Sequence, residues 1–158
     1  MPRVAATDEG EQKLLDDIQK YGWHCLNIFA DDRHESFSYT IGLFHTYGYP
    51  ELLIYGLPRD VAHSVLTIAA DAAARGRPLD VREPTDELIE DYQCVFVPVP
   101  LAEYSEHFGF ARWYYEGDTF PVQQVVWPSK AGLFPWHPEA SLAFREKQPV
   151  LGQHGRSA

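Results

Sequence analysis

The strongest pattern of apolar residues lies at residues 37–57, where two β-type segments follow each other closely. SYTIGL (38–43) and ELLIYGL (51–57) are rich in β-branched and aromatic residues, and each ends in Gly-Leu. Such residues favour strands, so the pattern predicts two neighbouring strands in the middle of a sheet. The segment between them, FHTYGYP (44–50), is predicted to be a loop, and it carries more aromatic side chains than a turn requires.

Helical periodicity predicts three helices. The first covers residues 7–22 with Thr7 as its N-cap, and a short one covers residues 100–109. The helix predicted over residues 58–76 is the most regular, because its apolar residues recur at i, i+4, i+7, i+8 and i+11. That stripe consists of Val61, Val65, Ile68, Ala69 and Ala72.

Three further segments have the composition of strands, at residues 23–30, 94–99 and 122–127. Pro98 lies inside the second of them. Because proline cannot donate a hydrogen bond to a sheet ladder, this residue predicts an edge strand or an early strand end.

Two shorter segments are assigned from composition alone. Residues 79–81 are predicted to form a short strand, and TDELIED (85–91) to form a helical turn. The order of elements predicts a single α+β domain over residues 1–158, built on one mainly antiparallel sheet with flanking helices. Its core is expected at about residues 8–152, with flexible termini.

Composition excludes several classes of partner. The net charge is −10, and lysine and arginine form no run, which argues against nucleic acid or an anionic membrane as partner. The first ten residues lack the apolar core of a signal peptide, and no apolar run is long enough to cross a membrane. Cys25 and Cys94 lie far apart and neither belongs to a CxxC pair. These features predict a cytoplasmic protein with reduced thiols.

Six blocks of the sequence resemble a known family. They are YGWH (21–24), SYTIGL (38–43), YPELLIYGL (49–57), QVVWP (124–128), GLFPW (132–136) and QPVLG (148–152). In this order they resemble the bacterial domain-of-unknown-function family 4262. The resemblance implies kinship and no assigned activity. Members usually carry an aspartate after the Trp-Pro block, where this chain has Ser129.

A second similarity is one of pattern. The strand pair with its Pro-Glu-Leu step, followed by an amphipathic helix, is similar to the core of flavin-reductase-like split barrels. Those proteins bind FMN at a dimer interface. The similarity implies a split-barrel-like sheet, FMN as a candidate cofactor and a homodimer.

The first group of candidate site residues belongs to the central strand pair. Glu51 begins an otherwise apolar strand, and a buried carboxylate needs a partner. It is either a ligand anchor or general base with a raised pKa, or a structural acceptor that fixes the YGYP turn; the structural role is favoured. Thr40 could bind a phosphate or carbonyl group, or satisfy a cross-strand neighbour. Tyr39 and His45 complete this group of ligand-binding candidates.

The second group lies towards the C-terminus. In VQQVVW, one amide of the two glutamines must point inwards, and Gln124 is the candidate because it shares a face with Val122 and Val126. Trp127 and Trp136 could stack on a planar ring, or could simply cover the core.

Histidines offer a metal-binding alternative. His24, His45 and Glu51 could hold zinc or iron, but no helical ligand spacing and no HExxH motif supports such a site. The other reading is that these histidines bond backbone groups. Serine and cysteine nucleophile motifs and phosphate loops are absent from the sequence.

These observations favour a domain that binds a small planar ligand or cofactor, with flavin as its most specific version. The pocket is expected between the central strand pair and residues 124–136. One alternative is a non-catalytic protein-interaction module that uses Trp136, Tyr47 and Tyr49, and another is a metal-dependent enzyme. The residues leave open whether the protein is an enzyme.

Overall fold

The computed structural model describes residues 1–153 and builds them into one six-stranded sheet with flanking helices. The strands are β1 (His24–Ile28), β2 (Phe37–Ile41), β3 (Glu51–Tyr55), β4 (Thr85–Ile89), β5 (Tyr92–Pro98) and β6 (Val122–Val126). The α-helices are α1 (Glu9–Tyr21), α2 (Leu43–Tyr47), α3 (Arg59–Ala74), α4 (Tyr104–His107), α5 (Gly109–Tyr115) and α6 (Leu142–Lys147). A 3₁₀ turn at Leu101–Glu103 precedes α4.

The strand order is β1-β2-β3-β6-β5-β4. Every neighbouring pair is antiparallel except β3 and β6, which run parallel. The α+β class and the mainly antiparallel sheet are therefore confirmed. The sheet is open, with β1 and β4 as its edges, so the closed form of a split barrel is not seen. None of the helices in residues 1–153 has the length and apolar character needed to cross a membrane.

Helices cover both faces of the sheet, which explains the continuous apolar run in β3. Leu52 and Ile54 pack beneath α3 in one core cluster, whereas Leu53 and Tyr55 point into a second cluster with Phe108. Leu14 of α1 and buried residues of α4 and α5 complete that second cluster. A strand buried on both faces loses the alternation expected of a half-exposed strand.

Two predicted elements are wrong in type. Residues 85–91 were expected to form a helical turn, but Thr85–Ile89 is an edge strand paired with β5. Pairing with β5 and burial of Leu88 override the local propensity of this acidic segment. The aromatic segment after SYTIGL was expected to be a loop, yet Leu43–Tyr47 is a short helix between two glycines with left-handed backbone.

Other predictions are wrong in detail. Residues 79–81 form no strand, although Leu79 is buried. β5 lies between β4 and β6 rather than at an edge, and Pro98 is its last residue, as an early end requires. In α3, Val61 and Ile68 are more than a third exposed, because the buried stripe is shifted towards small residues that let the helix approach the sheet. That buried stripe consists of Ala62, Val65, Leu66, Ala69, Ala70, Ala72 and Ala73.

The N-terminal end contacts α5. The Arg3 backbone N–H donates to the Tyr114 carbonyl oxygen at 2.8 Å, and the Arg3 guanidinium lies over the Trp113 ring. Asp8, not Thr7, caps α1 by accepting from the Glu11 backbone N–H. The expectation of a flexible C-terminal end falls on residues 154–158, outside the described residues.

Candidate functional site

The carboxylate of Glu51 is enclosed by protein hydrogen-bond donors. Its Oε1 accepts from the Thr40 hydroxyl at 2.7 Å, and its Oε2 accepts from the Tyr115 hydroxyl. The backbone N–H groups of residues 42–44 point at the same carboxylate from 3.0–3.2 Å. Thr40 is itself satisfied, since its hydroxyl also accepts from the Leu52 backbone N–H at 2.9 Å.

This arrangement gives Glu51 a structural task. The first N–H groups of a helix have no partner inside the helix, and the Glu51 side chain accepts them at the start of α2. Complete burial raises the pKa of Glu51, and the hydrogen bonds from Tyr115, Thr40 and the backbone of Phe44 and Gly42 partly offset that rise. Burial also raises the pKa of Tyr115, and the Glu51 charge beside it acts in the same direction.

Tyr39 and His45 lie near this network but have different environments. Tyr39 is buried against the Phe108 ring, and burial raises its pKa. His45 is exposed on α2, and its backbone N–H donates to the Tyr115 hydroxyl at 3.1 Å. The structure thus brings Thr40 and Glu51 into direct contact, and places Tyr39 and His45 around them.

Gln124 and Trp127 hold the C-terminal segment. The Gln124 side chain is completely buried, donates to the Pro149 carbonyl oxygen at 2.7 Å and accepts from the Leu151 N–H at 2.9 Å. The Trp127 indole N–H donates to the Tyr55 carbonyl oxygen at 2.8 Å. Gln124 points inwards, as the sequence predicts, but its amide bonds backbone groups of the protein itself.

Trp136 lies on the surface, apart from both groups. Its ring is 39% exposed and stacks on Phe134, with 5.1 Å between ring centroids. The Ser129 hydroxyl, at the position where the family resemblance implies an aspartate, accepts from the Leu133 backbone N–H at 3.2 Å, within a tight turn. Whether any of the seven candidate residues binds a ligand stays a prediction.

The metal-binding alternative finds no support in residues 1–153. No three histidine, cysteine, aspartate or glutamate side chains in this part of the chain are grouped so that they could hold a metal ion. His24 bonds Asp17, and the Glu51 carboxylate is occupied by its five donors. The structure therefore does not bring His24, His45 and Glu51 together.

A groove that the sequence does not reveal runs along edge strand β1. It lies where α1 and α3 approach this strand from opposite faces of the sheet, and its volume is about 1040 Å³. We name it the β1 groove. Its lining residues are Lys13, Asp17, Tyr21, Trp23, His24, Cys25, Asn27, Arg59, Asp60, His63, Ser64, Thr67 and Asp71.

On the α1 side of the β1 groove, the Asp17 carboxylate contacts both His24 and Lys13. Asp17 Oδ2 lies 2.7 Å from His24 Nδ1, and Asp17 Oδ1 accepts from Lys13 Nζ at 2.7 Å. Burial alone would raise the pKa of Asp17, but the hydrogen bonds from Lys13 and His24 outweigh it and hold the pKa below its ordinary value. Asp17 is thus ionised at neutral pH and fixes the orientation of the His24 ring.

The opposite wall adds an aromatic surface and a cation. The Trp23 and His63 rings stack at an interplanar angle of 24° with centroids 6.2 Å apart. Arg59, at the first turn of α3, has no carboxylate within ion-pair distance in the described part of the chain. The β1 groove therefore combines a flat apolar surface with polar groups that are not all used by the protein.

Cys25 in the floor of the groove is expected to react slowly with alkylating agents. Burial raises the pKa of its thiol to about 11, so the nucleophilic thiolate is rare at neutral pH. At about pH 8, iodoacetamide should label it roughly a hundredfold more slowly than an unperturbed thiol. Mass spectrometry of the labelled peptide measures the rate, with the denatured chain as reference. Labelling as fast as in the denatured chain would contradict the prediction.

The chain was compared with known proteins by family, by curated sequence and by structure. The profile of the family described as "Domain of unknown function (DUF4262)" matches residues 17–141. No curated protein and no solved structure matches the chain significantly. The family match includes the Glu51 network, all six strands and every lining residue of the β1 groove except Lys13. The chain therefore belongs to the domain-of-unknown-function family DUF4262.

Proposed function

We propose that this protein binds a small, planar, uncharged organic molecule in the β1 groove. The observation that carries the proposal is the groove itself, an open volume of about 1040 Å³ lined by aromatic and hydrogen-bonding side chains from three elements. Ligand sites typically have this size, with a few polar groups that fix the orientation of the ligand.

Unused polar groups favour the β1 groove over the residues around Glu51. A ligand at Glu51 would have to displace five protein donors, and one at Gln124 would have to replace two protein partners. In the β1 groove, His24 Nε2 and the Arg59 guanidinium bond no partner among residues 1–153 that a ligand would have to displace.

The chemistry of the lining indicates a planar molecule without a phosphate group. The stacked Trp23 and His63 rings offer a surface for an aromatic ring. Three aspartates line the groove against one lysine and one arginine, so a dianionic phosphate would meet net repulsion. This excess of negative charge disfavours FMN. It is more compatible with the isoalloxazine ring of riboflavin or with another neutral heteroaromatic compound.

The interaction-module alternative receives less support. It requires Trp136, Tyr47 and Tyr49 to form an exposed surface. Tyr49 is 7% exposed, and its hydroxyl donates to the Leu79 carbonyl oxygen at 2.8 Å. Of these three residues Trp136 is the most exposed, at 39%, and Tyr49 is buried, so they do not form one exposed aromatic patch.

Thermal unfolding in the presence of planar compounds tests the proposal. We expect riboflavin, or a neutral member of a pterin and purine panel, to raise the melting temperature, and FMN to do so less. A ligand at a hundred times its Kd stabilises the folded state by about 2.7 kcal/mol. The same compound should slow the alkylation of Cys25.

Two variants locate the binding site. Trp23→Leu should weaken binding at least tenfold, because it removes the stacking surface, whereas the matched variant Trp136→Leu should leave the affinity unchanged. The proposal fails if no compound of the panel binds, or if a bound compound is lost in Trp136→Leu and kept in Trp23→Leu.

A further inference from the structure

The Asp17–His24 pair has a geometry that the binding of a planar molecule does not require. Asp17 Oδ2 is 2.7 Å from His24 Nδ1, and both side chains are mostly buried, at 16% and 12% exposure. A carboxylate beside Nδ1 holds the hydrogen of the neutral ring on that nitrogen and leaves the lone pair on Nε2.

His24 Nε2 is available for chemistry. It has no hydrogen-bond partner among residues 1–153. His24 Nε2 is also accessible to solvent. In the described chain the one side-chain nitrogen or oxygen that is both fully buried and without a partner is Gln123 Oε1, so the unpartnered Nε2 is not fully buried. Since His24 lines the β1 groove, a ligand or a water molecule there can reach this nitrogen.

We propose that His24 is a general base that activates water in the β1 groove, with Asp17 as its positioning residue, and that the substrate is a small aromatic ester. The inference rests on the proposed binding of a planar molecule in the same groove. It adds a reaction, hydrolysis, to the binding of a ligand.

The step balances without a further reagent. His24 Nε2 takes a proton from water as the water oxygen forms a bond to the ester carbonyl carbon. The carbonyl oxygen carries the negative charge of the tetrahedral intermediate, and Arg59 lines the same groove as a cation that pairs with no carboxylate among residues 1–153. The carbon–oxygen bond to the alcohol or phenol then breaks, and the imidazolium returns its proton to the leaving oxygen.

Charged and titratable groups from three elements line the β1 groove together with His24. They are Lys13, Asp17 and Tyr21 of α1, Cys25 of β1, and Arg59, Asp60, His63 and Asp71 of α3. Of these, Asp17 makes the direct contact, and it stabilises the imidazolium that forms in the reaction. Asp17→Asn should therefore lower kcat and leave KM almost unchanged, because Asp17 contacts the His24 ring and acts on the reaction step.

The test uses p-nitrophenyl acetate and p-nitrophenyl benzoate as probes with the full-length protein. We expect p-nitrophenolate release above the buffer rate, a loss of at least a hundredfold in kcat/KM for His24→Gln, and at least tenfold for Asp17→Asn. The matched control is His34→Gln, because His34 also faces an aspartate, Asp31 at 3.5 Å, but in the turn outside the groove. This variant should keep the wild-type rate.

Each other outcome overturns the inference. A wild-type rate in His24→Gln, or no hydrolysis of either probe, removes His24 as the base. A burst of p-nitrophenolate equal to the protein concentration indicates direct attack by a nucleophile instead of water. If His24→Gln does not fold, the decision passes to kcat of Asp17→Asn, and an unchanged kcat in that variant rejects the pair.

The proposed function can survive this failure. Binding of riboflavin that depends on Trp23, without hydrolysis of either probe, keeps the binding site and removes the reaction. Absence of both binding and hydrolysis removes both.

Discussion

Replacing Glu51 by alanine is expected to lower the free energy of unfolding by about 3–5 kcal/mol, the largest effect of any single substitution considered. The change removes the acceptor of five hydrogen bonds, three from the backbone of residues 42–44 and two from Thr40 and Tyr115. Each buried donor left without a partner costs about 1–3 kcal/mol. Part of this cost is recovered, because the half-buried Tyr115 hydroxyl can turn to water.

Glu51→Gln should also destabilise, by roughly 2–3 kcal/mol, although it conserves shape. Both carboxylate oxygens receive donors, so the amide nitrogen of glutamine would face a donor in either orientation. Unfolding in urea, followed by far-ultraviolet circular dichroism, measures both variants. The control is Glu87→Ala on exposed edge strand β4, expected to change stability by less than about 0.5 kcal/mol. A loss below about 1 kcal/mol for Glu51→Ala would show that the network contributes little.

The need for this network could be predicted from the sequence, but its members could not. A glutamate at the start of ELLIYGL must find a partner because the strand is apolar on both sides. The structural role favoured for it was to fix the YGYP turn, whereas its carboxylate accepts from Thr40, Tyr115 and the backbone of residues 42–44. Tyr115, however, reaches Glu51 from α5, 64 residues further along the chain. Local periodicity carries no information on such a distant contact, so only the partners close in sequence can be guessed.

Elements were predictable where packing and local preference agree. The strands containing SYTIGL and ELLIYGL and helices α1 and α3 are found where the apolar pattern places them. Residues 85–89 show the opposite case. Their acidic and leucine-rich composition favours a helix, but the chain can bury Leu88 and pair with β5 only as a strand. Tertiary contacts decide wherever local preference is weak.

The β1 groove was beyond prediction for a different reason. Lys13, His24 and Arg59 each look like an ordinary exposed or half-exposed residue in its own segment. They line the same groove only because β1 is an edge strand and α1 and α3 flank it on opposite faces. The one signal was the YGWH block, which puts an aromatic ring and an imidazole side by side at the start of that strand.

Side-chain amides bond the C-terminal segment to the sheet, where a further strand would use backbone hydrogen bonds. Residues 149–151 lie beside β6, and the Gln124 amide bonds them through both its atoms, to the Pro149 carbonyl oxygen and the Leu151 N–H. The Gln148 side chain makes the reciprocal pair of bonds to the residue after β6: it accepts from the Trp127 N–H and donates to the Trp127 carbonyl oxygen. The two buried glutamines therefore fasten this segment to the sheet.

Gln124→Leu is accordingly expected to lower the free energy of unfolding by about 2–4 kcal/mol, because two backbone groups lose their partners. The neighbouring Gln123→Leu is a matched control with the opposite expectation. Gln123 Oε1 is already buried without a partner, so replacing it should be neutral or stabilising. Urea unfolding compares the two variants, and hydrogen exchange at the Leu151 N–H should accelerate in Gln124→Leu alone. Equal losses in both variants would mean that the side-chain volume at this strand matters, and that the amide bonds to residues 149–151 do not.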